Sequence, residues 1–155
     1  MALNGDEQAL RFFTRDGVGG RETLLSYGAT QDQLDTMTLG ELRDWLIDTV
    51  PQAHRDFLMS LRDRMVIGDY AFVHAGVRPG IPIDQQEPAD LFWIREEFLS
   101  SDEPHSHMVV HGHSISDDVQ QFENRIGIDT GAFASGRLTA IGLEGTEQWF
   151  LSTKG

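Results

Sequence analysis

His74 follows an apolar run at 70–73 and is followed by Ala75 and Gly76, so its imidazole leaves a strand tip into a tight turn of small residues. His111 and His113 follow a second such run at 108–110, with Gly112 between them allowing close backbone approach. Asp129-Thr130-Gly131 closes a third. Loops at the carboxyl ends of strands are where ligands collect in sheets flanked by helices. Imidazoles from two strands could share one divalent transition metal, because neutral histidine nitrogen is a common ligand for Mn, Fe, Zn or Ni. Hydrolysis would need further ligands, usually carboxylates, and an open position. The bland alternative is a hydrogen-bonded or solvated histidine, and His54, His105 and His107 are read that way. Arg95, in Trp93-Ile94-Arg95-Glu96, could grip two phosphate oxygens with its planar fork, or pair with Asp90, Glu96 or a neighbouring helix. Arg78 is a weaker second candidate. Asp129 would either orient a ligand histidine or cap the following turn. No serine sits in a G-x-S-x-G elbow, no G-x-x-x-x-G-K occurs, and the sole lysine is Lys154, so serine-nucleophile, P-loop and Schiff-base chemistries lack their parts.

The elements that must position these groups fall into two portions that divide near Leu61. Helical spacing predicts helices over 7–13, 21–27, 38–49 and from Pro51 onward, with Thr38-Leu39-Gly40-Glu41 as a capping box. Leu39, Leu42, Trp45 and Leu46 would form the buried stripe of the third, and Phe57, Leu58 and Leu61 share a face in the fourth. After 61 the pattern changes to short β-branched and aromatic runs at 65–67, 70–73, 108–110, 125–128, 137–143 and 147–151, with a helix expected around 90–99. The fold class is therefore α/β (α+β): a helical portion over 1–61, then a mostly β portion over 62–155 that carries the metal-type histidines, together one domain.

The chain has 155 residues with 12 basic and 25 acidic side chains, a net charge of -13. Such a surface repels phosphate backbones and anionic headgroups, so neither nucleic acid nor membrane is an expected partner. An anionic substrate must be met by locally placed positive charge or metal. Cysteine is absent, which excludes disulfides, thiolate metal sites and cysteine nucleophiles. No run approaches the ~18 apolar residues of a membrane span. The first residues lack an export signal, so a cytoplasmic location is expected.

Taken in order, the segments at 70–80, 91–96, 109–113, 124–132 and 136–140 resemble the C-terminal half of bacterial serine/threonine protein phosphatases of the calcineurin-like metallophosphoesterase superfamily. The resemblance implies an incomplete calcineurin-like β-sandwich with flanking helices. It implies a divalent metal centre, with manganese first and iron or zinc next, in which His74 and His113 are ligands and Arg95 binds substrate phosphate. His111 and Asp129 are then possible supports behind those ligands. The family's G-D-x-H-G and G-D-x-x-D-R-G motifs have no counterpart in this sequence, so a full dinuclear site is not encoded in it. Gly5 and Asp6 stand where the family has an asparagine ligand and a histidine general acid. The expected function is metal-dependent phosphoester hydrolysis of serine/threonine phosphatase type by an N-terminally incomplete domain. The substrate would be a phosphorylated protein or a small phosphoester. The alternatives are a non-catalytic remnant that binds a phosphorylated partner, and a dinucleoside polyphosphate hydrolase. Absent strands would leave edges exposed, so self-association or marginal stability is expected as well.

Overall fold

Helix periodicity gives way to strand alternation at the point where the chain divides into two compact units, Met1–Leu61 and Arg62–Gly155. The computed structural model describes residues 7–153, so Gly5 and Asp6 lie outside the described residues. The first unit holds α1 (Glu7–Phe13), α2 (Gly20–Ser26), α3 (Gln31–Thr36), α4 (Leu39–Thr49) and α5 (Gln52–Ser60). Two of these open with reciprocal caps. Thr38 accepts from the Glu41 N–H while the Glu41 carboxylate accepts from the Thr38 N–H, and Thr30 and Gln33 repeat the arrangement before α3. The Thr38 backbone bond, then its hydroxyl bond, holds the Glu41 carboxyl below its usual range.

The core of this unit is Leu10, Leu24, Ala29, Leu42, Leu46 and Val50. Leu39 and Trp45, expected on the same stripe, are partly buried against it. The face formed by Phe57, Leu58 and Leu61 is exposed instead. Pro51 precedes the first helical residue of α5, where its fixed φ suits the entry and its missing N–H leaves no donor unmet.

In the second unit, β1 (Arg64–Ile67), β2 (Tyr70–Val73), β3 (Met108–His111), β4 (Gln120–Gln121) and β5 (Arg125–Gly127) form one mixed sheet in the order β1-β2-β3-β5-β4. β6 (Thr139–Glu144) and β7 (Glu147–Ser152) form a separate antiparallel pair. The three central strands β2, β3 and β5 run parallel, so their carboxyl ends share one edge of the sheet. Position along those strands therefore brings residues 74, 111–113 and 128–129 together although they are far apart in sequence.

The link between β2 and β3 carries α6 (Pro88–Trp93) and α7 (Glu96–Leu99), which stand where the sequence suggested one helix over 90–99. Ile94 leaves helical geometry at ψ 143° and Arg95 follows, so the break falls at the residue of chemical interest. α8 (Ala132–Ser135) is a single turn bounded by Gly131 and Gly136, both at positive φ. Ala75, Val77, Leu91, Ile94, Phe98 and Val109 form the core of this unit. At the edge of the sheet, Met65, Val66 and Ile67 of β1 are all exposed, although successive residues of a strand face opposite ways. Among the described residues no helix is long and apolar enough to cross a membrane.

Candidate functional site

The strand edge brings His74 and His113 together: Nε2 of the first lies 3.2 Å from Nδ1 of the second, and their ring centroids are 4.9 Å apart. The backbone ties the two loops directly, because the Gly112 N–H donates to the His74 carbonyl at 2.9 Å. Ala75 is held in turn by its N–H bond to the Leu91 carbonyl, which anchors the turn after His74 to α6.

His113 is presented by an unusual backbone. It is the one non-glycine with positive φ among the described residues, at 64°. The Ser114 N–H closes a three-residue turn onto the Gly112 carbonyl at 2.7 Å. β-Carbons pay about 1–2 kcal/mol in left-handed geometry, and such strain gathers at functional positions. A His113→Gly variant is therefore expected to exceed His113→Ala in stability by about 1 kcal/mol in urea unfolding. Equal stabilities would show that the turn relaxes at no cost.

That same turn separates the two histidines of the H-x-H pair. His111 is still in β3, and its ring is turned into the protein, edge-on to Phe98 at 4.9 Å and against Gly127. Its Nδ1 lies 3.1 Å from the Gly112 carbonyl. Burial is the main cause holding His111 below the usual imidazole range. Burial also lowers His113, followed by the charge of Arg95 and then that of His74. A neutral imidazole is the form that can ligate a metal. Asp129 caps its own turn, with Oδ1 accepting from the Gly131 N–H at 3.0 Å, while its charge favours the protonated forms of His111 and His113.

Arg95 reaches the next residue along, its Nη1 donating to Ser114 Oγ at 3.3 Å. Two of the acids near it in sequence are otherwise engaged. Asp90 accepts two bonds from Arg78, and Glu97 accepts another from the same guanidinium, each at 2.7 or 2.8 Å. Arg78 is thereby committed to an ion-pair cluster that raises its pKa, and Arg95 has no carboxylate within ion-pair distance among the described residues. Trp93 stands edge-to-face with His113 at 5.7 Å. Ser114 and Trp93 carried no role in the sequence reading. The signal for Ser114 is its adjacency to His113, legible only once Arg95 is seen to bond it.

The histidine pair borders a cleft of about 380 Å³ whose walls include Phe72, Val110, Asp129, Arg137 and Thr139. Arg137 is paired to Asp118 at 3.0 Å. The remaining histidines lie elsewhere. His54 meets the Tyr27 hydroxyl at 2.9 Å in the helical unit, while His105 and His107 line a separate cavity of about 230 Å³.

Two nitrogens each 2.0–2.1 Å from one ion at a tetrahedral angle lie roughly 3.3 Å apart, so the observed separation suits a shared cation. The donor set stops there. Among the described residues, no third histidine, aspartate or glutamate joins them to form a group that could hold a metal. The pair thus fits as two ligands of a site and does not make a complete one.

No family model matches this chain, and no curated protein sequence matches it. Among solved structures, it is similar to the crystal structure of a "putative diadenosine tetraphosphatase", with a TM-score of 0.58 and 20% identity. The alignment covers 78% of this chain and 62% of that one, less than two thirds of the other protein's length. At that identity the likeness is one of fold: a mixed α/β architecture with helices and a mixed sheet is common to both.

Proposed function

We propose that this chain serves metal-dependent phosphoester hydrolysis of the calcineurin-like type, with His74 and His113 as metal ligands and Arg95 as the phosphate clamp. The observation that carries the reading is the convergence at one strand edge of two imidazole nitrogens 3.2 Å apart with a guanidinium that has no acid partner among the described residues. Arg95 would bind two phosphoryl oxygens through its fork, and Ser114 would steady the approach of that fork. Burial, then the charges of Arg95 and His74, lowers the His113 pKa and so favours the neutral imidazole that can donate its lone pair. A divalent ion, manganese first, would polarise a phosphoryl oxygen when bound. The bridging carboxylate of a two-metal centre is not among the described residues, so turnover by these groups alone would be slow.

The resemblance to serine/threonine protein phosphatases favours a phosphoprotein substrate, and the similarity to the diadenosine tetraphosphatase structure favours a dinucleoside polyphosphate. A second reading, a non-catalytic module that binds a phosphorylated partner, is favoured by the donor set of two. The test is manganese-stimulated release of p-nitrophenol from its phosphate ester by the purified chain, with diadenosine tetraphosphate and a phosphoserine peptide in parallel. The expected result is a low, metal-dependent rate that falls at least tenfold in His113→Ala. Activity indifferent to that substitution would overturn the assignment, and phosphate binding without turnover would establish the second reading.

A further inference from the structure

Trp93 is the last residue of α6 and stays largely outside the core. The residues this segment buries are Leu91, Ile94 and Phe98, with 0%, 7% and 0% of their surface accessible, whereas Trp93 keeps 52% of its surface in water. A large aromatic left half in solvent is informative when chemistry lies beside it. Its ring stands at 86° to that of His113, 5.7 Å between centroids, and two residues on Arg95 bonds the Ser114 hydroxyl. Residues 93–95 and 113–114 thus interleave an indole, an imidazole, a guanidinium and a hydroxyl at one place. The guanidinium suits a phosphate; the exposed indole suits a flat, apolar group attached to that phosphate.

We infer that Trp93 is a stacking platform for an aromatic ring carried by the phosphoester, so that the site prefers ring-bearing phosphates to phosphates of aliphatic alcohols. This rests on the phosphoryl-site reading of His74, His113 and Arg95. Ring and phosphate are recognised by different residues of one short segment, and the binding energy of the ring is independent of any metal. The ring is that of a nucleobase or of an aryl ester, and the two sources share the same chemistry at the indole face.

The test is ligand binding by isothermal titration or ligand-observed NMR with the whole chain, using AMP, phenyl phosphate, ribose 5-phosphate and a phosphoserine peptide. AMP, phenyl phosphate or both should bind about 5- to 100-fold tighter than ribose 5-phosphate, the range that base–aromatic stacking supplies. Trp93→Ala should erase that advantage, weakening the ring-bearing phosphates more than ribose 5-phosphate, while Trp93→Phe should keep most of it. A gain for AMP alone identifies a nucleobase, and a gain for phenyl phosphate alone identifies an aryl ester. Equal binding of ring-bearing and ring-free phosphates overturns the stacking role and leaves the phosphoryl site standing. A uniform loss for all ligands in both variants also overturns it, as a purely structural effect, and so does a peptide bound tightest and insensitive to Trp93→Ala. Failure of every phosphate to bind removes the phosphoryl-site reading together with the inference built on it.

Discussion

Phe98→Ala is expected to destabilise the strand-rich unit by about 3–5 kcal/mol, the usual range for truncating a buried phenylalanine to a cavity. The ring has no accessible surface. Three side chains gather on it: His111 meets it edge-on at 4.9 Å, His105 stacks on it at 5.8 Å, and the Arg125 guanidinium lies 5.8 Å from its centroid. Arg125 in turn donates to the carbonyls of Leu99 and Ser101, so its charge is spent on the chain end of α7 rather than on a carboxylate. Removing the ring leaves a void that His111 and Arg125 border, and neither polar group can fill it without losing bonds. Thermal melting followed by circular dichroism should show the midpoint fall by more than 10 °C for a unit of this size. A fall of under 4 °C would mean that the surrounding side chains collapse into the space and that Phe98 is not the keystone of the fold.

All the strands but β4 were legible from the sequence because each is a short β-branched or aromatic run between turn residues, and the assignment of 70–73 coincides with β2, whereas β4 is two glutamines with no such signal. α3 was missed. Its sequence, Gln-Asp-Gln-Leu-Asp-Thr, sets only Leu34 partly against the core, and it opens on the Thr30–Gln33 capping box rather than on an apolar stripe. α8 is likewise a product of two left-handed glycines and has no periodic signal of its own. Phe57, Leu58 and Leu61 show the converse, a helical spacing of apolar residues that does not lead to burial.

At the candidate site, types and positions could be read, and directions could not. An H-x-H pair continued as strand would place both imidazoles on one face. β3 ends at His111, and the turn centred on His113 breaks the alternation, so one ring enters the core and the other meets His74. That Arg95 meets no carboxylate among the described residues was equally hidden, since Asp90, one of the partners its sequence neighbourhood offered, is taken by Arg78, twelve residues away.

Gly76→Ala is the complementary experiment, adding one carbon where Phe98→Ala removes six. A β-carbon on Gly76 would lie within 2.7 Å of three atoms of the Phe98 ring, a separation that real β-carbons do not show, so either the ring or the turn after His74 must move. The ring is walled in by His105, His111 and Arg125, and the turn is held by the Ala75 bond to Leu91. Overpacking without an escape route costs about 1–3 kcal/mol, and the upper end is expected here. Combining the two changes isolates the contact. In a Phe98→Ala background the new methyl enters the vacated space, so Gly76→Ala should there retain only the strain of a side chain at φ 159°, a coupling of about 2–3 kcal/mol in a double-mutant cycle. The same cycle bears on function, because Gly76 lies two residues from His74. If the turn yields rather than the ring, His74 moves away from His113 and manganese affinity falls in the single Gly76 variant, then recovers in the double. Strictly additive stabilities, with metal affinity unchanged throughout, would show that the packing under the histidine pair and the aim of His74 are independent.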